Sequence, residues 1–197
     1  PQGATVVRLS PLQVLAAVAL IGCAGPQTPV IASLDSVKAL PAQELALNYL
    51  TTTEVLGYTY IVPLLGQSFV VVDGDQKVTI DRSNSATWAR TLERRKAVYE
   101  AAIRGRGYRD VAGVYEAAST ESCAPLDSGQ VTVAQVGPLI TVTMYESKVA
   151  RGSIVENKIA LYVAANRPST HWIGDVSGKT ITLQRMAGRC SVVWQKG

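Results

Sequence analysis

Histidine and phenylalanine occur once each in the 197 residues, methionine twice and cysteine three times. One histidine, His171, excludes any multi-histidine metal site, and three cysteines are too few for a disulfide-dense scaffold. Aromatics make up 6% and charged residues 17%. A net charge of +4 is too small to argue for nucleic acid as a partner across the whole surface. The uncharged, mostly apolar run Val14–Gly22 is about half of the roughly 20 residues a bilayer-spanning helix needs. No Gly-x-Ser-x-Gly elbow is present, and Gly105-Arg106-Gly107 has neither the third glycine nor the preceding strand of a dinucleotide loop. What is plentiful is valine, threonine and glycine, a composition of strands and turns.

The short apolar run ends in Leu20-Ile21-Gly22-Cys23. A branched apolar residue three before a cysteine, and a small one just before it, resemble the lipobox of bacterial lipoproteins. The resemblance covers about residues 6–25, with Arg8 as the only charge before the thiol. It implies that residues 1–22 are a signal peptide and that Cys23 becomes the lipid-bearing N-terminus. It also implies a domain in the cell envelope facing the periplasm or exterior, with the outer membrane favoured because Ala24 follows the cysteine. The same run also suits a buried helix carrying a core cysteine. With Cys23 lipidated, Cys123 and Cys190 remain as an even pair. An exported chain keeps disulfides, so these two are expected to bridge, unless both are buried free thiols.

Residues 23–38 contain Pro26 and Pro29 and are expected to form a tether, followed by an α+β region over 39–107. Pro41 marks a helix start, with Leu45, Leu47, Tyr49 and Leu50 giving a short apolar helix to about Thr51. Tyr58–Val62 reads as a strand stopped by Pro63. Ser68–Val72 and Lys77–Ile80 flank Asp73-Gly74-Asp75-Gln76, a hairpin signature. Asp73 and Asp75 hint at calcium, but the glutamate that closes an EF-hand loop is missing and turn chemistry explains both. The main helix is expected over 84–104, with Trp88, Leu92, Tyr99 and Ile103 at helical spacing, Asn84 or Ser85 as cap and Gly105 as terminator.

From Tyr108 to Gly197 the pattern is β. Expected strands are Gly113–Ala118, Gln130–Val136, Leu139–Tyr145, Ser153–Val163, His171–Val176, Lys179–Gln184 and Cys190–Trp194. Val131/Val133, Ile140/Val142/Met144 and Ile181/Leu183 alternate with polar residues, so each strand has one buried and one wet face. The fold class expected is therefore α+β: a small helix and hairpin region, one long helix, then an antiparallel barrel or sandwich.

Chemistry-bearing constellations are sparse. His171 opens a strand before Trp172 and reads as structural. The carboxylates Glu116, Glu121, Asp127, Glu146, Glu156 and Asp175 are scattered, with no spacing that singles out a hydrolytic pair. No catalytic set, metal site or cofactor is expected. Two surfaces remain. Arg90, Arg94, Arg95, Lys96, Arg104, Arg106 and Arg109 form a basic run suited to anionic headgroups or an acidic envelope protein, or to plain solvation. Of the β-region aromatics, Tyr115, Tyr145, Tyr162 and Trp172 could line a cup at a barrel mouth, whereas core filling is the plainer role for all of them, Tyr108 and Trp194 included. The leading expectation is a membrane-anchored, non-catalytic interaction module, with no nucleic acid as partner. A calycin-like carrier of a small apolar ligand and a carboxylate-based hydrolase are the alternatives.

Overall fold

The computed structural model describes residues 6–9, 33–73, 76–118, 126, 129–144, 147–163, 170–187 and 190–197. Cys23, the lipobox and residues 24–32 of the expected tether lie outside them. Three helices, α1 (Leu34–Lys38), α2 (Ala42–Ile61) and α3 (Ser85–Arg106), accompany eleven strands among these residues. The chain organises into two compact units, and α2 and α3 contribute turns to both.

The smaller unit holds residues 51–98 and the N-terminal strand. Its sheet has the order β1 (Val6–Leu9), β2 (Phe69–Asp73), β3 (Gln76–Ile80). β2 and β3 pair antiparallel, Asp73 opposite Gln76, as the Asp-Gly turn predicts, and β1 pairs parallel to β2. One face of the hairpin presents Phe69, Val71 and Ile80 to Val55 of α2 and to Trp88 and Leu92 of α3. This burial overturns the strand expected at Tyr58–Val62. The β-branched and aromatic residues there favour strand locally, but Val55, Tyr58 and Val62 fall on one helical face that packs into this core. The helix therefore runs on to Ile61, and the Thr59 hydroxyl donates back to the Val55 carbonyl at 2.8 Å.

The larger unit is an eight-stranded closed barrel with helical cover. Its strands are β4 (Gly113–Ala118), β5 (Gly129–Val136), β6 (Leu139–Met144), β7 (Ser147–Val155), β8 (Lys158–Val163), β9 (Thr170–Ser177), β10 (Thr180–Arg185) and β11 (Ser191–Lys196). Each pairs antiparallel with its neighbours in sequence, and β11 returns to β4, with Val193 opposite Ala118 and Lys196 opposite Tyr115. Barrel, not sandwich, is the architecture. The run Ser153–Val163, expected as one strand, is two: Glu156 and Asn157 turn β7 into β8. Glu156 takes a positive φ of 55°, a position that glycine usually fills. No glycine marks the turn, so in the sequence the strand pattern runs straight through it.

Inward residues of every barrel strand meet in one core built around Trp172 and Trp194, both fully buried. The Trp194 indole N–H donates to the Leu126 carbonyl at 3.0 Å, and Leu126, from the connection between β4 and β5, is itself buried in that core. The outward residues Glu116, Gln130, Thr132, Thr182, Gln184 and Gln195 are polar and exposed. This is the reverse of a membrane-spanning barrel, which turns apolar residues to lipid. No helix among the described residues is long and apolar enough to cross a membrane.

One stretch of outer wall is dry. Ser153, Val155 and Ala160 point outward yet are buried. The Ser153 hydroxyl donates to the Ala46 carbonyl of α2 at 2.6 Å, and the Gln43 amide donates to the Ile159 carbonyl at 2.9 Å. The first turns of α2 thus cover β7 and β8. The last turns of α3 join them through Tyr49, whose hydroxyl donates to Glu100 at 2.9 Å. α3 ends at Gly107 (φ 79°), two residues later than Gly105, and Gly107 N–H closes on Ile103. There Glu156 gathers the chain: its carboxylate accepts from the Arg106 Nε at 2.7 Å, its N–H donates to Gly107 and its carbonyl accepts from Arg109.

Barrel closure demands close approach at Gly174 in β9. A methyl there would lie 2.0 Å from the Thr182 carbonyl oxygen of β10, a backbone atom that cannot swing aside. Gly174→Ala is expected to cost about 3 kcal/mol or more. Gly105→Ala, where a methyl meets nothing within 4 Å, should instead stabilise helix α3 by about 0.5–1 kcal/mol. Denaturant midpoints of the two variants check this; equal midpoints would show that the strands can separate enough to admit a side chain.

Candidate functional site

The barrel interior is the first place to look for a ligand. Of the four aromatics expected at a cup, Tyr115 and Trp172 point inward, Tyr162 points outward and Tyr145 lies outside the described residues. Tyr115 is committed to the fold. Its hydroxyl donates to the Val111 carbonyl at 2.8 Å, its ring lies 6.5 Å from that of Trp194, and Lys196 Nζ sits 5.8 Å above it while donating to Ala112. Burial pushes the Tyr115 hydroxyl pKa above its ordinary value. At Gly152 an added methyl would meet Leu161 at 2.4 Å and Ile140 at 2.7 Å, so this level of the interior lacks room for one carbon. These inward positions carry the protein's own buried side chains.

Tyr162 and His171 face each other on the outer wall, ring centroids 5.3 Å apart. His171 is half-buried, and burial holds its pKa below the usual 6.5. Carboxylates are likewise tied to structure. Glu156 holds Arg106, Asp175 pairs with Lys158 and Asn157, and Glu116 stands on the outer wall. Glu121, Asp127, Glu146, Cys123, Cys23 and the loop residues Gly74 and Asp75 lie outside the described residues. Cys190 is buried and disulfide-bonded. Among the described residues, no three of His, Cys, Asp and Glu gather as metal ligands.

The basic run divides. Arg90 and Arg94 are exposed on the part of α3 within the smaller unit, and Lys96 is half-buried. Arg95 is 7% exposed and so is not a surface contact: α3 turns it inward while its neighbour Arg94 faces solvent. In the larger unit Arg104 and Arg109 are exposed, whereas Arg106 is spent on Glu156 and the Leu40 carbonyl.

What sequence reasoning missed lies at the end of α2. Tyr60 and Ile61 are exposed, and the 3-10 turn Pro63–Leu65 lifts Leu64 and Leu65 to 86% and 66% exposure. The turn is ordered by hydrogen bonds from Leu65 and Gln67 to the Val62 carbonyl and from Gly66 to Pro63. Burying two such leucines elsewhere would gain roughly 1.5–3 kcal/mol each. The sequence cue was Pro-Leu-Leu-Gly: bulky aliphatics between two turn formers have no element to bury them. Tyr60 donates to the Glu93 carboxylate of α3, which raises the tyrosine pKa and brings the apolar tip to the basic helix.

No family model, curated protein or solved structure matches the chain.

The depressed pKa of His171 gives a signed prediction. The folded state favours neutral imidazole, so its contribution is complete above the unfolded pKa and is lost as pH falls through 6.5 toward the lower folded value. Stability measured in denaturant should fall as pH drops through the unfolded value of 6.5, and His171→Gln should flatten that slope. An unchanged slope would place the acid sensitivity elsewhere.

Proposed function

We propose that the protein is a lipid-anchored module of the cell envelope that acts by binding at its surface, without catalysis. The observation that carries this reading is the placement of apolar surface. Inward barrel positions carry Trp172, Trp194 and their buried neighbours, the barrel's outer wall is largely polar, and two adjacent leucines are displayed on an ordered turn at the end of α2, whose Tyr60 touches the arginine-bearing helix α3 through Glu93. A monomeric body has little reason to hold such residues in water unless they meet something. Cys23 supplies the anchor in this reading, and residues 24–33 the reach from the membrane to α1. Cys190 is bridged to Cys123, closing 67 positions of barrel and stabilising it by about 4 kcal/mol in the chain-entropy account.

A second reading, a carrier of a small apolar ligand, is favoured by the eight-stranded antiparallel closed barrel, a shape compatible with calycins. Gly152 hemmed by Leu161 and Ile140 weighs against it.

Intact-mass analysis of the membrane fraction tests the anchor. The mature chain is expected to lack residues 1–22, β1 among them, so that its smaller sheet is the β2–β3 hairpin alone, and to carry acyl mass on Cys23; Cys23→Ser is expected to abolish both the cleavage and the acylation. A full-length chain with a free Cys23 thiol would defeat the proposal. Peptide mapping without reductant should recover Cys123 joined to Cys190; a free Cys123 would defeat the bridge while leaving the anchor standing.

A further inference from the structure

We propose that the turn Pro63–Leu65, with Tyr60 and Ile61, is a membrane-contacting tip that enters the interfacial layer of an anionic bilayer. This deepens the surface-binding reading above by naming the partner of that same surface. Three observations on the smaller unit converge. Leu64 and Leu65 are the most exposed leucines among the described residues and sit on an ordered turn, so insertion carries little ordering cost. Tyr60, with an apolar ring and a polar end, is exposed beside them, the kind of side chain favoured at the headgroup level.

Charge is the third. Between Ser85 and Val98, α3 carries Arg90, Arg94, Arg95 and Lys96 against Glu93 alone. Glu93 is engaged by the Tyr60 hydroxyl, and Arg90 lies one turn before it on the same helical face. With Arg95 buried, Arg90 and Arg94 remain exposed on the helix that Tyr60 touches through Glu93. An exposed apolar turn and exposed arginines in one compact unit, with low overall hydrophobicity in the helix that bears the charge, match an anionic lipid surface better than an apolar protein groove, which would leave the guanidinium groups to be desolvated. Arg90 and Arg94 lie over headgroup phosphates while the leucines enter the acyl boundary.

The test uses the full chain with Cys23→Ser, so that depth at the tip is read without the lipid. Trp88, Trp172 and Trp194 are all buried, which makes Leu64→Trp the accessible indole. Its quenching is measured with vesicles of phosphatidylcholine carrying brominated acyl chains, with and without phosphatidylglycerol, and compared with a reference indole on the barrel wall, Thr182→Trp. The expected result is quenching at position 64 at least about twice that at 182 in anionic vesicles. It should fall toward the reference in neutral vesicles and when Arg90→Gln and Arg94→Gln are added. Equal quenching at the two positions, or none at 64 in anionic vesicles, overturns the proposal, including where a protein instead of lipid proves to shield the tip. Because Cys23 is absent from this measurement, failure here leaves the lipid-anchor reading intact, and failure of the mass experiment leaves this one intact.

Discussion

Closure of the barrel is the constraint on which the larger unit depends. Eight strands that pair only with sequence neighbours leave two edges until β11 reaches β4, and open edges would expose a full row of backbone donors and acceptors. Joining them requires curvature, and Gly174 is where curvature forbids a side chain. It also requires something at the centre to curve around. Trp172 and Trp194 provide that bulk, and the Trp194 indole is satisfied by the carbonyl of Leu126, a residue outside the strands. Indole size, glycine size and strand count therefore belong to one solution, and a change in one is felt by the others.

Buried side chains from every barrel strand meet in one core, and the polar outer wall of β4, β5, β10 and β11 leaves little apolar surface there beyond Val114, Val136 and Val193. The dry stretch on β7 and β8 is already taken by α2. In the smaller unit the sheet uses its apolar face on α2 and α3. Among the described residues of that unit, Tyr60, Ile61 and the two leucines of the turn are the large apolar side chains left exposed. Arginine placement follows the same division: Arg106 serves the helix end through Glu156, while Arg90 and Arg94 remain in solvent.

Legibility of the chain follows the range of the forces involved. Alternation in Val131–Val133, Ile140–Met144 and Ile181–Leu183 is a nearest-neighbour property, and those strands are visible in the residues alone. The hairpin at Asp73–Gln76 is visible for the same reason. Barrel against sandwich is invisible, because it turns on one pairing between residues near 116 and residues near 195. Glu156 hides a turn because the residue that makes it is not a usual turn former. Tyr58–Val62 misleads because local β preference lost to a helical face with a core to fill. For the candidate site, the cationic run could be read from composition, but which arginines face water could not. The leucine tip was spelled in Pro63-Leu64-Leu65-Gly66, though recognising it needs the helix to continue to Ile61.

Glu156 occupies a backbone region that would suit glycine, yet a glycine there has no carboxylate to offer Arg106. The same residue sets the angle at which β7 folds back on β8 and holds the last turn of α3 through both its side chain and its main chain. Hairpin and helix terminus therefore share a single mechanical joint: loosening the loop would also unfasten the helix, so the two elements are built to hold or to yield in unison.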